Sequence, residues 1–185
     1  MNQKEFFERV LRVLEESKIP YMVTGSVGAI LFGEPRLTND MDVVVEMSTD
    51  AVSGLCRTFP PPDFYLPPAE VIRSEVDARR QFNLIHVGTG SEVDFIIRKD
   101  REFSQTEFSR RIRVPFSEQF QASSATPEDI ILSKLEFDQS GESEKHLDEI
   151  RGILRISENE LDMRYLEDWA RKLGLLRVFG LLEPE

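Results

Sequence analysis

Asp40 stands at the head of the apolar run Met41-Asp42-Val43-Val44-Val45, which constrains the chain more than any other segment. Short and rich in β-branched residues, Met41 to Val45 reads as a buried strand. Side chains alternate along a strand, so Met41, Val43 and Val45 share the core face while Asp40 and Asp42 share the other. Two carboxylates two residues apart on one face repel each other, and the pairing is unfavourable unless solvent or a cation lies between them. A second strand of this kind runs from Ser91 to Ile97, with Asp94 on the face opposite Val93 and Phe95. If the two strands are neighbours, three carboxylates meet on one face, the usual setting of two Mg²⁺ ions in phosphoryl transfer.

The rest of the chain reads as an α/β core followed by helices. Phe6, Phe7, Val10, Leu11 and Leu14 fall at helical spacing, closed off by Pro20. A strand at Tyr21–Thr24 leads through Gly25-Ser26 into a helix from Val27 to Phe32 that Gly33-Glu34-Pro35 breaks, and a helix is expected at Asp50–Arg57. Five of the ten prolines lie between 60 and 68, which predicts an irregular surface excursion. Gln81–Val87 and Ser91–Ile97 form a hairpin around Gly88-Thr89-Gly90. Phe103–Arg111 is helical, and 112–122 supplies one or two strands. Thr126-Pro127-Glu128-Asp129 is a helix start, with a threonine cap, proline at the first position and acids at the positive end of the dipole. Further helices follow at Ser143–Leu154, Asp162–Leu173 and Leu175–Leu181. The expected organisation is a core over 1–122, built on a short mixed sheet backed by helices, and a helical C-terminal part over 123–185.

Composition removes several classes. With one cysteine, Cys56, no disulfide can form within the chain, and with only His86 and His146 besides there is no Cys/His cluster for zinc. Any metal is then a hard cation on oxygen ligands. A formal net charge of −11 repels nucleic acid at long range, so a polynucleotide partner would need a local basic patch. Arg79-Arg80 and Arg110-Arg111 with Arg113 are the candidates, and also read as solvated surface. The N-terminus lacks the apolar core of a signal peptide, and no apolar run reaches the ~20 residues that span a bilayer. The expectation is a soluble cytoplasmic protein.

Gly25-Ser26 lies between a strand and a helix, where glycine admits a close phosphate and serine can cap the helix or donate its hydroxyl to a phosphate oxygen. Residues 25–33 lack the Gly-Lys-Ser/Thr ending of a P-loop, and Val27 fills the place of the second glycine of a dinucleotide fingerprint. The stretch after Asp40 lacks the central glycine of an EF-hand loop. The whole string TGSVGAILFGEPRLTNDMDVVV, with SEVDFII further on, resembles the signature of the DNA polymerase β-like nucleotidyltransferase superfamily. ATPEDIILSKLEF is similar to the region after the core in its AbiEii-like branch, which includes toxins of type IV toxin–antitoxin systems.

The resemblance implies transfer of a nucleoside monophosphate from a nucleoside triphosphate by two Mg²⁺ ions. Gly25 and Ser26 become phosphate contacts, Asp40 and Asp42 metal ligands, and Asp94 the carboxylate that binds metal and helps activate an acceptor hydroxyl. Lys134 matches a lysine that neutralises triphosphate charge, and Arg36 and Thr38 are typical of the loop before the carboxylates. The acceptor is open: an RNA end, a protein or a small molecule, as in the aminoglycoside-modifying enzymes. An antitoxin is a candidate partner, and a non-catalytic nucleotide-binding or antitoxin-like module is the rival from another class. Periodicity speaks to two residues independently. Lys134 falls within the inward stripe Ile130, Ile131, Leu135 and Phe137, so it needs an anionic partner or a route to water. Asp148 matches a further acidic position of the branch, yet projects away from the face of Leu147, Ile150 and Leu154.

Overall fold

A computed structural model describes residues 1–138, 143–157 and 159–180. Helix α1 (Gln3–Glu16) opens with a capping box, in which Asn2 accepts from the Glu5 N–H and the Glu5 carboxylate accepts from the Asn2 N–H. Its stripe Phe6, Phe7, Val10, Leu11, Leu14 is buried, as the spacing requires. The strands are β1 (Tyr21–Thr24), β2 (Asp40–Val45), β3 (Phe64–Tyr65), β4 (Gln81–His86), β5 (Ser91–Ile97), β6 (Ile112–Ser117) and β7 (Phe120–Ser124). They form one mixed sheet in the order β3-β4-β5-β2-β1-β7-β6, with β2/β5 and β1/β7 parallel and the other pairs antiparallel. The remaining helices are α2 (Gly25–Phe32), α3 (Val52–Thr58), α4 (Ala69–Asp77), α5 (Glu102–Arg110), α6 (Pro127–Phe137), α7 (Glu144–Ser157), α8 (Met163–Lys172) and α9 (Leu176–Phe179). Leu181, expected in the last helix, lies outside the described residues. No helix among the described residues is long and apolar enough to cross a membrane.

Strand alternation divides the interior into two cores. Met41, Val43 and Val45 face α1, α3 and α4, together with Val93, Phe95 and Ile97 of β5. Val44, one residue out of step, faces the other core with Met22 and the helices α5 to α9. Asp40 and Asp42 share the parity of Val44, so they open toward the C-terminal helices. β7 runs to Ser124 and hydrogen-bonds to β1 and β6, so the sheet passes directly into the Thr126 cap of α6.

Two readings of the sequence need correction, and one helix left no readable pattern. The proline-rich stretch is not wholly an excursion: Phe64 is buried, its ring 6.0 Å from that of Phe6 and 5.1 Å from that of Phe59, and β3 adds to the free edge of β4. An edge position is where a segment flanked by prolines, which lack an N–H, can join a sheet. Helix α4 buries only Ile72 and Val76, too sparse a stripe to stand out in the sequence. Phe137 is 85% exposed, because α6 ends there and the ring leaves the inward face to meet His146 edge-on.

The second core carries buried acids. Asp129 accepts from the Tyr165 hydroxyl at 2.6 Å and the Thr126 hydroxyl at 2.9 Å, with Arg110 alongside, which ties α8 to α6. Glu107 on α5 accepts from the Ser133 hydroxyl at 3.1 Å, and burial pushes its pKa up to about 7. A carboxyl raised in the folded state binds a proton there that the unfolded chain releases earlier. Stability therefore falls as pH rises between its ordinary 4.5 and about 7. Glu107→Gln keeps an acceptor for Ser133 without the charge. It is expected to be more stable than the parent by about 1–3 kcal/mol at pH 8. Thermal melts from pH 4 to 8 should show that gain vanish in acid, and a constant difference would contradict it.

Candidate active site

The signature turn is built around one missing side chain. Thr24 at the end of β1 is the cross-strand partner of Asp42, so the chain turns into α2 directly over that carboxylate. Gly25 makes the turn with φ +62°, and a Cβ built on it would lie 1.8 Å from Asp42 Oδ2. Both the backbone angle and the space exclude a side chain. Gly25→Ala is expected to reduce stability by about 1–3 kcal/mol and to displace Asp42, which a denaturant titration alongside a transfer assay would register. α2 begins at Gly25, two residues earlier than expected, which places Ser26 inside its first turn. Ser26 makes no cap; its hydroxyl donates to Glu149 at 3.0 Å.

β2 and β5 are parallel neighbours in the register the chemistry needs. Asp42 pairs with Asp94, and Asp40 pairs with Glu92. By alternation all four carboxylates belong to one face. Glu92 was not among the expected site residues, although the parity that selects Asp94 selects it equally. It takes a hydrogen bond from the Asn83 amide. Three of the four carboxylates titrate accordingly. Thr38 donates its hydroxyl to Asp40 Oδ1 at 2.5 Å and holds that carboxyl below its usual range. Burial, reinforced by the Asp40 charge, raises Asp42. Burial, then Glu92, Asp42 and Asp40, push Asp94 up to about 6. Among the described residues no three acidic, histidine or cysteine side chains already converge on one metal position. The donor set nevertheless fits a hard divalent cation: adjacent carboxylates at mutual cost, with oxygen as the only ligand type.

Above this face lies a cleft of about 370 Å³ lined by Gly25, Ser26, Asp40, Asp42, Asp94 and Lys134, with Phe137, Lys145 and His146 at its side. Lys134 is buried on α6 and its charge favours ionisation of Asp42. The anionic partner that the stripe argument demands is Glu149 of α7, which the sequence reading missed. Lys134 and Arg36 both hydrogen-bond to the Glu149 carboxylate, and Ser26 completes the node. Burial alone would raise Glu149, but Lys134, Ser26 and Arg36 together hold it below its usual range. Asp148, the acid singled out on this helix, is exposed and pairs with Arg151 at 3.2 Å. It borders a separate hollow of about 400 Å³ shared with Arg36, Lys145 and Glu149. Counting Ile153 in the α7 stripe would have marked Glu149 as buried, since the two are four residues apart on one face, though not as the partner of Lys134.

No protein-family profile matches this sequence, and no curated protein matches it. Solved structures do. A lincosamide antibiotic adenylyltransferase, LnuA, with lincomycin bound, aligns over 84% of this chain and 98% of its own, at 12% identity and a TM-score of 0.57. An antigenic nucleotidyltransferase-like protein from Paracoccidioides brasiliensis aligns over 92% and 86%, at 17% identity and 0.57. The antibiotic-resistance factor ANT(2'')-Ia aligns over 97% and 94%, at 13% identity and 0.57. The fold is that of the nucleotidyltransferases.

Within this nucleotidyltransferase fold the basic clusters do not form an open patch. Arg79 pairs with Asp100 and Arg80 with Glu75. Arg110 pairs with Glu128 and Asp129, Arg113 with Glu15, and Arg111 donates to the Phe108 carbonyl. Their charge is largely committed within the chain.

Proposed function

We propose that this chain transfers a nucleoside monophosphate from a nucleoside triphosphate to a hydroxyl acceptor. The observation that carries the reading is the register of β2 against β5, with Asp42 beside Asp94 directly under the Gly25-Ser26 turn. In this reading the triphosphate lies on that turn, whose missing Cβ makes room for the Asp42 carboxylate beneath it. The first N–H groups of α2 and the partial positive charge of the helix end face the triphosphate. Lys134 and Arg36 offset its charge. Asp40 and Asp42 would hold Mg²⁺, with Asp94 on the second ion. Such ions, when bound, polarise the phosphorus under attack and neutralise the departing pyrophosphate. Asp94 helps draw the proton from the acceptor hydroxyl. Thr38 keeps Asp40 ionised and oriented, and Asp148 lies outside the reacting centre.

Two supports point to different acceptors. The resemblance of residues 125–137 to the AbiEii-like branch suggests a toxin-like enzyme with an RNA or protein acceptor and an antitoxin partner. The alignment with LnuA suggests a small molecule. Incubating the protein with each labelled nucleoside triphosphate, Mg²⁺ and total cell lysate would show which fraction takes up label. Calorimetric binding of nucleotide without pyrophosphate release, across all acceptors, would replace the enzyme with a nucleotide-binding module.

A further inference from the structure

Glu149 is an almost fully buried carboxylate that receives hydrogen bonds from the Ser26 hydroxyl, the Arg36 guanidinium and the Lys134 ammonium. These are the same side chains that the preceding reading assigns to the triphosphate. An ammonium has three donors and a guanidinium five, so Lys134 and Arg36 can serve two anions at once. A hydroxyl has a single proton. While Ser26 donates it to Glu149 Oε1 at 3.0 Å, it has none for a phosphate oxygen. Glu149 is held in its ionised form, so what these donors surround is an anion with oxygen acceptors, chemically close to one edge of a phosphate.

We propose that Glu149 is an internal stand-in for the triphosphate, occupying its anion subsite in the free protein and surrendering the Ser26 hydroxyl, while Arg36 and Lys134 turn donors to the phosphates, when nucleotide arrives. This rests on the assignment of the Gly25-Ser26 turn to phosphate. Two features of the fold favour exchange over permanent attachment. Lys134 is buried, so its charge needs an anion whether or not nucleotide is present. The second hollow, bordered by Glu149 and Lys145, offers the released carboxylate space and an alternative cation. Nucleotide affinity is then reduced by the fraction of molecules in which the internal contact is closed.

The experiment is calorimetric titration of the whole chain and its Glu149→Gln variant with tripolyphosphate in EDTA, so that neither metal nor catalysis enters. The neutral amide of the variant cannot offer an anion, and the variant is expected to bind tripolyphosphate about tenfold more tightly or better. In the unsubstituted protein, tripolyphosphate should slow amide hydrogen exchange at the start of α2 and accelerate it in α7 around Glu149. If the variant binds equally or more weakly, or if α7 is protected together with α2, Glu149 positions the donors and the stand-in is wrong. Should the variant fail to fold, the exchange measurement on the unsubstituted protein decides alone. If neither protein binds tripolyphosphate, the phosphate assignment of the turn falls as well, an outcome distinct from binding without gain.

Discussion

Asp42→Asn is expected to reduce nucleotidyl transfer by about 10³-fold or more while leaving the protein folded and more heat-stable than the parent. The two effects share a cause. Asp42 lies between Asp40 on its own strand and Asp94 on the next, beneath Gly25, and burial with the Asp40 charge raises its pKa. A raised carboxyl in the folded state means that its ionised form destabilises the fold at any pH above that value, and asparagine removes this penalty at constant shape. What asparagine cannot do is hold a divalent cation with full charge. Mg²⁺ should therefore raise the melting temperature of the parent and leave that of the variant unmoved. Pyrophosphate release and a melt with and without Mg²⁺ test both halves. A variant that keeps its activity would sink the mechanism; one that is inactive because it is unfolded would sink the electrostatic argument.

The carboxylate face is legible in the sequence because strands are simple. Alternation with a period of two puts Asp40 and Asp42 on one face of their strand, and Asp94 opposite the core face of its own, from local pattern alone; the observed pairing of the two strands joins the three. Lys134 was legible as a contradiction, a charge within an apolar stripe that required a partner. The partner itself was not legible. Glu149 is fifteen residues away on another helix, and contact between α6 and α7 is a property of tertiary packing, which no local period encodes. The loss of α4 and of β3 has the same origin. Two buried residues in a helix, or two in an edge strand, carry too little pattern to compete with neighbouring prolines and charges.

Lys134→Met is expected to lower stability by about 2–4 kcal/mol, toward the lower end of what breaking a buried ion pair costs, because Arg36 still faces the carboxylate left behind. Methionine fills the volume of the lysine stem, so the loss reports charge and not a cavity. Joining Glu149→Leu to it should recover most of that stability, since the lone buried anion disappears with its partner. A double-mutant cycle by urea denaturation gives the coupling directly, expected at about 1.5 kcal/mol or more. The effect has a pH signature. Glu149 is held below its ordinary 4.5, so its contribution is complete above that value and is lost as pH falls through its lower folded value. The gap between parent and Lys134→Met should therefore close in acid. The double variant then separates architecture from chemistry: it should be folded and near the parent in stability, yet impaired in transfer, because the charge that faced the triphosphate is gone. A Lys134→Met variant within roughly 0.5 kcal/mol of the parent, the range of an ordinary surface substitution, would mean that the node among Ser26, Arg36, Lys134 and Glu149 does not hold the helices to the signature turn.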